Sequence, residues 1–511
     1  MKIHYEKVEG IPRLGWLATV ASSGDVTVLH GSSVETHPYW MVEGIWDADF
    51  SEGMFHHSEN FFGSGIRIFE EELFFVASSS YLDRLIYCYD GQDVLVSNSL
   101  LLMLGKTGAR LDTNHDYSNE SEGVKGGVKN YNRNFQIVHP TIQNFNQIYY
   151  ENIIWSSGKV RTTTRTVQRQ ISNYSDYINL LTNTLDRLRN NFEDGNRSSP
   201  MVGVSTISSG YDSAATSCLV KNIGVQTVYT STKSNSAAPA FLANDRSQDD
   251  GTPIAAKLGL QVKYLNFPQD VSEDELYFLT TVCPKKQGTL LCEIALDKLG
   301  GDAELSDKTT VVFFGNWGDT VWDTLPPPGT LTDQIVRQDN TGISLSEVRL
   351  KNGYICVSLP TMYGINIVDI FGITNSDEMA PWRLGNNYDR PIPRRILEDS
   401  GVARNAFGNR KKAMVTYYQF PKNKFIRSIF FQHLLSSTDI SRTDLQIHLS
   451  QAYASGLIRS LYRLFGRYRR PGKVLVGKDL NLPFRTWVWA THTLSDRAEL
   501  ILRGHLARRR D

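Results

Sequence analysis

A largely apolar run at residues 201–207 ends in a short loop of small and hydroxylated residues, and a second apolar segment follows at 214–220. The run has the length of a buried strand, and the segment after the loop reads as the first turns of a helix. The pattern then repeats. Residues 226–230 read as a second strand, a helix closes near 254–259, and residues 261–265 and 309–314 read as further strands. Buried strands alternating with helices constrain this part of the chain to a parallel sheet covered on both faces. Ligands of such sheets gather beyond the carboxyl ends of the strands, so the loops after residues 207 and 314 are the ones to read for chemistry.

The first loop holds Ser208, Ser209, Gly210, Tyr211, Asp212 and Ser213. At a strand–loop–helix junction the loop amides and first-turn N–H groups are donors without partners, and the helix dipole adds partial positive charge. The serine hydroxyls add donors, Gly210 lets the backbone approach closely, and Asp212 can hold a divalent cation. These are the needs of a phosphate-bearing ligand such as ATP, although a loop of this kind alone is as readily a plain turn. The second loop, 315–319, begins with Gly315 and supplies Asp319 at a matching strand end. Each aspartate alone would read as a helix N-cap, but two at the ends of one sheet could share Mg²⁺. Thr230 ends the second strand and is predicted to border the same nucleotide site. Later, Arg410, Lys411 and Lys412 form a cationic cluster behind a turn, where a lysine could neutralise charge developing at an attacked α-phosphorus.

Residues 1–167 read instead as short β elements, among them 25–29, 72–77 and 93–97, with 84–91 entering a hairpin. Residues 114–134, rich in Asn, Gly, Ser and Glu, are predicted to be a mobile surface loop. Helical spacing starts near Ser175 and runs to Phe192, dividing the chain into 1–167, 175–450 and a basic extension at 451–511. Within that extension Arg459, Arg463 and Arg467 read first as a solvated helix packed through Ile458, Leu461 and Leu464, and only second as an RNA-binding face. The 54 basic and 54 acidic residues leave no net charge to steer the chain toward nucleic acid or an acidic membrane. No run approaches the roughly 20 apolar residues of a membrane span and no leader is visible, so a cytoplasmic location without a membrane span is expected. The five cysteines are scattered, which argues against disulfides and zinc. Gly105-Lys106-Thr107 ends like a phosphate-binding loop but has Leu100 where the first glycine belongs. His56 and His57 read as a surface pair.

Together these residues resemble the asparagine synthetase family within the ATP pyrophosphatases. The family loop S-G-G-x-D-S matches residues 208–213 everywhere but the second position. Its acidic loop, G-E-G-x-D-E or G-Y-G-S-D in β-lactam synthetases, lines up with 315–319. Its R-x-K signature matches Arg410 and Lys412, and its A-x-x-L-G segment matches 255–259. Residues 81–88 and 95–99 are similar to the family's first domain, so the likeness runs to about residue 430.

The resemblance implies an α/β fold. An N-terminal β-rich amidohydrolase-like sandwich, a degenerate glutamine amidotransferase domain over 1–167, would precede a synthetase domain over 175–450. The latter would be a parallel-sheet, adenine-nucleotide alpha-hydrolase-like (Rossmann-like) unit. The implied activity is an AMP-forming ligase that uses ATP and Mg²⁺ to activate a small-molecule carboxylate and joins it to ammonia or an amine. Lys412 would be its catalytic lysine and a homodimer its assembly. Glutamine-using members carry a cysteine after the initiator methionine, and Lys2 stands there, so no glutaminase is expected. Ser209 replaces a family glycine, and a positive φ there would cost about 1–2 kcal/mol. Asn316 and Trp317 also depart from the pattern, and asparagine cannot serve as a base at neutral pH. Glu378, the nearest match to the family's E-x-R-x-P-F stretch, is the candidate base. These departures motivate a second reading, a nucleotide-binding subunit that regulates or scaffolds without catalysis.

Overall fold

The short strands of the first half pair into two sheets. One runs β1 (Ile3–Lys7), β3 (Val26–His30), β2 (Trp16–Val20), β9 (Asp93–Ser97), β8 (Leu85–Asp90), β11 (Asn144–Ile148) and β10 (Asn134–Gln136). The other runs β13 (Lys159–Thr163), β12 (Asn152–Ser156), β7 (Glu72–Val76), β6 (Phe61–Phe69), β5 (Trp40–Trp46) and β4 (Glu35–His37). Period-2 alternation sends Trp16, Ala18 and Val20 into one buried cluster with Ile66, Leu73 and Phe75 of the facing sheet, which makes this half a sandwich. The opposite face of the first sheet, with Leu17, Leu29 and Leu95, is covered by the helices Leu100–Thr107 and Leu482–Arg508. The computed structural model describes residues 1–165, 169–231, 249–265, 274–280, 289–291, 302–337, 346–408, 416–418, 420–451 and 480–508.

Two expectations about this half change. Residues 114–134 are not a loose loop: they carry the helix Ser118–Glu122 and the turn Gly123–Gly126, anchored by buried Tyr117, Val124 and Val128. A polar composition concealed those apolar anchors. His56 is 4 % exposed, tucked by the Phe55–His57 turn against Phe69 and Phe74, and only His57 of the pair is exposed. Within 451–511, residues 482–508 form a helix docked on the first half through Trp487, Ala498 and Leu502. The arginines at 459, 463 and 467 lie outside the described residues. Gly105-Lys106-Thr107 is the last turn of a helix capped by Ser99 and closed by left-handed Gly108, not a phosphate loop.

In the second half, β14 (Met201–Thr206), β15 (Thr227–Thr230), β16 (Gln261–Tyr264), β18 (Thr309–Phe314) and β19 (Tyr354–Ser358) form a wholly parallel sheet. A two-stranded ribbon pairs β17 (Thr289–Leu291) with β20 (Thr416–Tyr418). In the parallel sheet the order is β16-β15-β14-β18-β19, so the direction of winding reverses between β14 and β18. Strands β18 and β19 are buried almost throughout, as a sheet covered on both faces requires. The predicted helix from Ser175 is Tyr174–Phe192; Asn173 caps it by accepting from the Asp176 N–H. Its buried Tyr177, Leu181, Leu185 and Leu188 recur at helical spacing. No helix among the described residues is long and apolar enough to cross a membrane.

Candidate functional site

The loops that follow β14 and β18 flank the point where the strand order reverses, the position at which open α/β sheets bind their ligands. They touch each other. A Cβ built on Gly315 would lie 2.3 Å from the Asp212 carbonyl carbon and 2.5 Å from the Ser213 nitrogen. A Cβ on Gly318 would lie 2.6 Å from Asp212 Cγ. Neither glycine has a positive φ, so close approach alone excludes a side chain at both.

The first loop is held by its own hydroxyls. Ser213 Oγ accepts from the Ser208 N–H at 3.1 Å and lies 2.9 Å from Ser208 Oγ, which in turn accepts from the Gly210 N–H at 3.2 Å. Gly210 is the N-cap of the Tyr211–Lys221 helix and makes no side-chain cap, which leaves the capping to other groups. Ser209 has no positive φ, so the strain considered for a serine there does not arise. Its hydroxyl donates to buried Asp249 at 3.0 Å.

Asp212 is held by an arginine that the sequence reading did not single out. Arg390 Nη1 contacts Asp212 Oδ2, and Arg390 Nε lies 3.5 Å from Asp323 Oδ2. Burial would lower the Arg390 pKa, but the negative charges of Asp212 and Asp319 outweigh it and keep the guanidinium charged. One turn on, Arg394 donates to the Tyr211 hydroxyl, and its guanidinium lies 5.1 Å from the Tyr211 ring centroid and 5.3 Å from that of Phe407. Burial, partly opposed by Arg394, raises the Tyr211 phenol's pKa. The Tyr388 hydroxyl stands 3.8 Å from where a Gly210 Cβ would be. These residues carried a signal of their own. Arg390-Pro391-Ile392-Pro393-Arg394-Arg395 starts a helix with cations at the end where the dipole disfavours them, which calls for carboxylate partners.

Other predicted residues take different places. Thr230 is fully buried, and its hydroxyl accepts from the Gly251 N–H at 2.9 Å. Glu378 accepts from the Tyr174 N–H at 3.2 Å and from Arg395 at 2.9 Å, tying the Asp377–Trp382 turn to the start of a helix. That is a tether, and its contacts are not with the 208–213 loop. Trp317 adopts a left-handed backbone conformation, with φ 72°. Its ring is buried against Gly364 and Tyr81, and its Nε1 donates to the Val336 carbonyl at 3.1 Å. The Asn316 amide oxygen accepts from Arg337 at 2.8 Å. Arg410, Lys411 and Lys412 lie outside the described residues, but the chain before them reaches Gly408, whose N–H donates to the Ser209 carbonyl at 3.0 Å.

Among the described residues no group of three His, Cys, Asp or Glu side chains could hold a metal by itself. Asp212 and Asp319 offer only carboxylate oxygens, a donor set suited to magnesium when ligand phosphates complete its shell. Cys88, Cys218 and Cys356 are buried and form no disulfide among the described residues, and burial pushes the Cys88 thiol up to about 12, so it is no nucleophile at neutral pH. No protein-family model matches the chain, and no curated protein matches its sequence.

Proposed function

We propose that the chain is an asparagine synthase-like, AMP-forming carbon–nitrogen ligase. A small-molecule carboxylate attacks the α-phosphorus of ATP, pyrophosphate leaves, and ammonia or an amine displaces AMP from the acyl-adenylate to form an amide. One observation carries this reading. Two strand-end loops bearing Asp212 and Asp319 meet at the reversal point of a parallel sheet, so closely that Gly315 and Gly318 admit no side chain. The amides opening the Tyr211–Lys221 helix would take the pyrophosphate oxygens. Asp212 and Asp319 would hold Mg²⁺, which when bound neutralises phosphate charge. Lys412 takes its role from the R-x-K resemblance, and the sandwich from its likeness to a glutamine amidotransferase domain with Lys2 in place of the cysteine.

ATP–pyrophosphate exchange across a panel of carboxylic acids tests the reading. At least one acid should support exchange, and Asp212→Ala and Lys412→Ala should each reduce it by about 100-fold or more, the scale lost with one electrostatic group. Calorimetry that finds no Mg–ATP binding by the wild type overturns it. A second reading, a nucleotide-binding regulatory or scaffolding subunit, draws on Trp317, on Asn316 held by Arg337, and on Glu378 held as a tether. Mg–ATP binding without exchange for any acid would favour that reading.

A further inference from the structure

Arg390 sits among three carboxylates: it contacts Asp212, lies 3.5 Å from Asp323, and feels the charge of Asp319. Its side chain is 3 % exposed whereas that of Asp212 is 20 % exposed, so the guanidinium reaches the carboxylate from the protein side and solvent reaches it from the other. The guanidinium stacks 4.9 Å from the Tyr388 ring centroid and 6.0 Å from that of Tyr211, which fixes its plane beside the 208–213 loop. The oxygen that Arg390 holds belongs to the carboxylate a divalent cation would need, and the two cations repel one another across it. An arginine fork also matches phosphate oxygens in pairs.

We propose that Arg390 is an internal counter-cation that holds Asp212 in the ligand-free protein, yields it to a divalent cation when a polyphosphate enters, and turns its own guanidinium to the phosphate. The inference rests on the reading of the 208–213 loop as a Mg–ATP site and names the residue that couples the metal to the anion there. Mg²⁺ alone then binds poorly, because it must displace Arg390 from Asp212 and leave it only the longer contact with Asp323 at 3.5 Å. With polyphosphate present the displaced charge gains a partner, and cation and anion bind cooperatively.

Titration calorimetry on the full chain tests this with MgCl₂ alone, with ATP in chelator, and with Mg–ATP, comparing the wild type with Arg390→Gln and Arg390→Lys. Circular dichroism checks that each variant folds. Arg390→Gln should bind Mg²⁺ alone at least tenfold more tightly than the wild type and Mg–ATP at least tenfold more weakly. Arg390→Lys keeps the charge but loses the fork, so both changes should keep their sign with about threefold size; this variant carries the test if the glutamine variant fails to fold. Wild-type binding of Mg–ATP with both constants unchanged in the variants overturns the exchange while leaving the nucleotide reading intact. A wild type that binds no Mg–ATP overturns both.

Discussion

His56 has neither ring nitrogen hydrogen-bonded among the described residues, and burial, with the nearby charges of His57 and Arg67, depresses its pKa to about 3. The sign of its pH effect follows. An unfolded histidine titrates near 6.5, so as the pH falls below that value the unfolded chain takes a proton the folded chain refuses. Stability present above pH 6.5 is lost toward pH 3, at up to about 1.4 kcal/mol per unit from this group. His56→Phe keeps the aromatic contacts and removes two unpaired polar atoms. Urea unfolding should show the variant no less stable than the wild type at pH 7 and clearly more stable at pH 5. Ser209 gives a second residue-level test. Since it is not strained, Ser209→Gly has no backbone strain to relieve and removes a donor to Asp249; a loss of about 1–2 kcal/mol in urea unfolding is expected.

Gly105, in the last turn of the Leu100–Thr107 helix, is a position where helix propensity alone would have alanine stabilise by about 1 kcal/mol. A Cβ there would lie 2.8 Å from the backbone nitrogen of Glu499 and 2.9 Å from Ala498 Cβ, where the last helix crosses. Overpacking of this kind costs about 1–3 kcal/mol, so Gly105→Ala should destabilise the chain in thermal or urea unfolding despite the better helix former. The same contact shows what was legible in the sequence. Strand–loop–helix order, the Tyr174–Phe192 helix and the meeting of the two acidic loops all follow from local periodicity and strand-end position. Strand β19, the anchors of 114–134 and the docking of the last helix do not. They depend on partners far away in sequence, such as Ala498 for Gly105, and on apolar residues thinly spread through polar segments. Arg390 falls between the two cases: its cation-first helix demanded a carboxylate, but nothing local said which one.

At the scale of the whole molecule, buried charge joins the sandwich to the parallel-sheet half. Arg349, from the Ser346–Asn352 helix, makes a two-pronged contact with Glu43 at 2.7 and 2.9 Å and reaches Asp83 at 3.0 Å, and all three side chains are buried. Two residues earlier, Glu347 accepts from the Leu100 N–H at 2.7 Å and from Ser99 Oγ at 2.8 Å, so one half caps a helix of the other. Arg197 and Glu35 form another buried pair at 2.5 Å. Such pairs contribute little net stability over an apolar replacement, yet removing one partner costs about 3–5 kcal/mol because the other charge stays buried alone. Arg349→Met should therefore destabilise the chain by about that amount, leaving Glu43 and Asp83 without their shared cation. Neutralising the carboxylate as well, in Arg349→Met with Glu43→Gln, should recover a large part of the loss, a coupling that independent sites would not show. Urea unfolding followed by tryptophan fluorescence and far-ultraviolet circular dichroism reads both quantities. The two signals should coincide in the wild type and separate in Arg349→Met if these ion pairs make the halves unfold together; coincident curves with additive losses would assign the coupling to the apolar contacts instead.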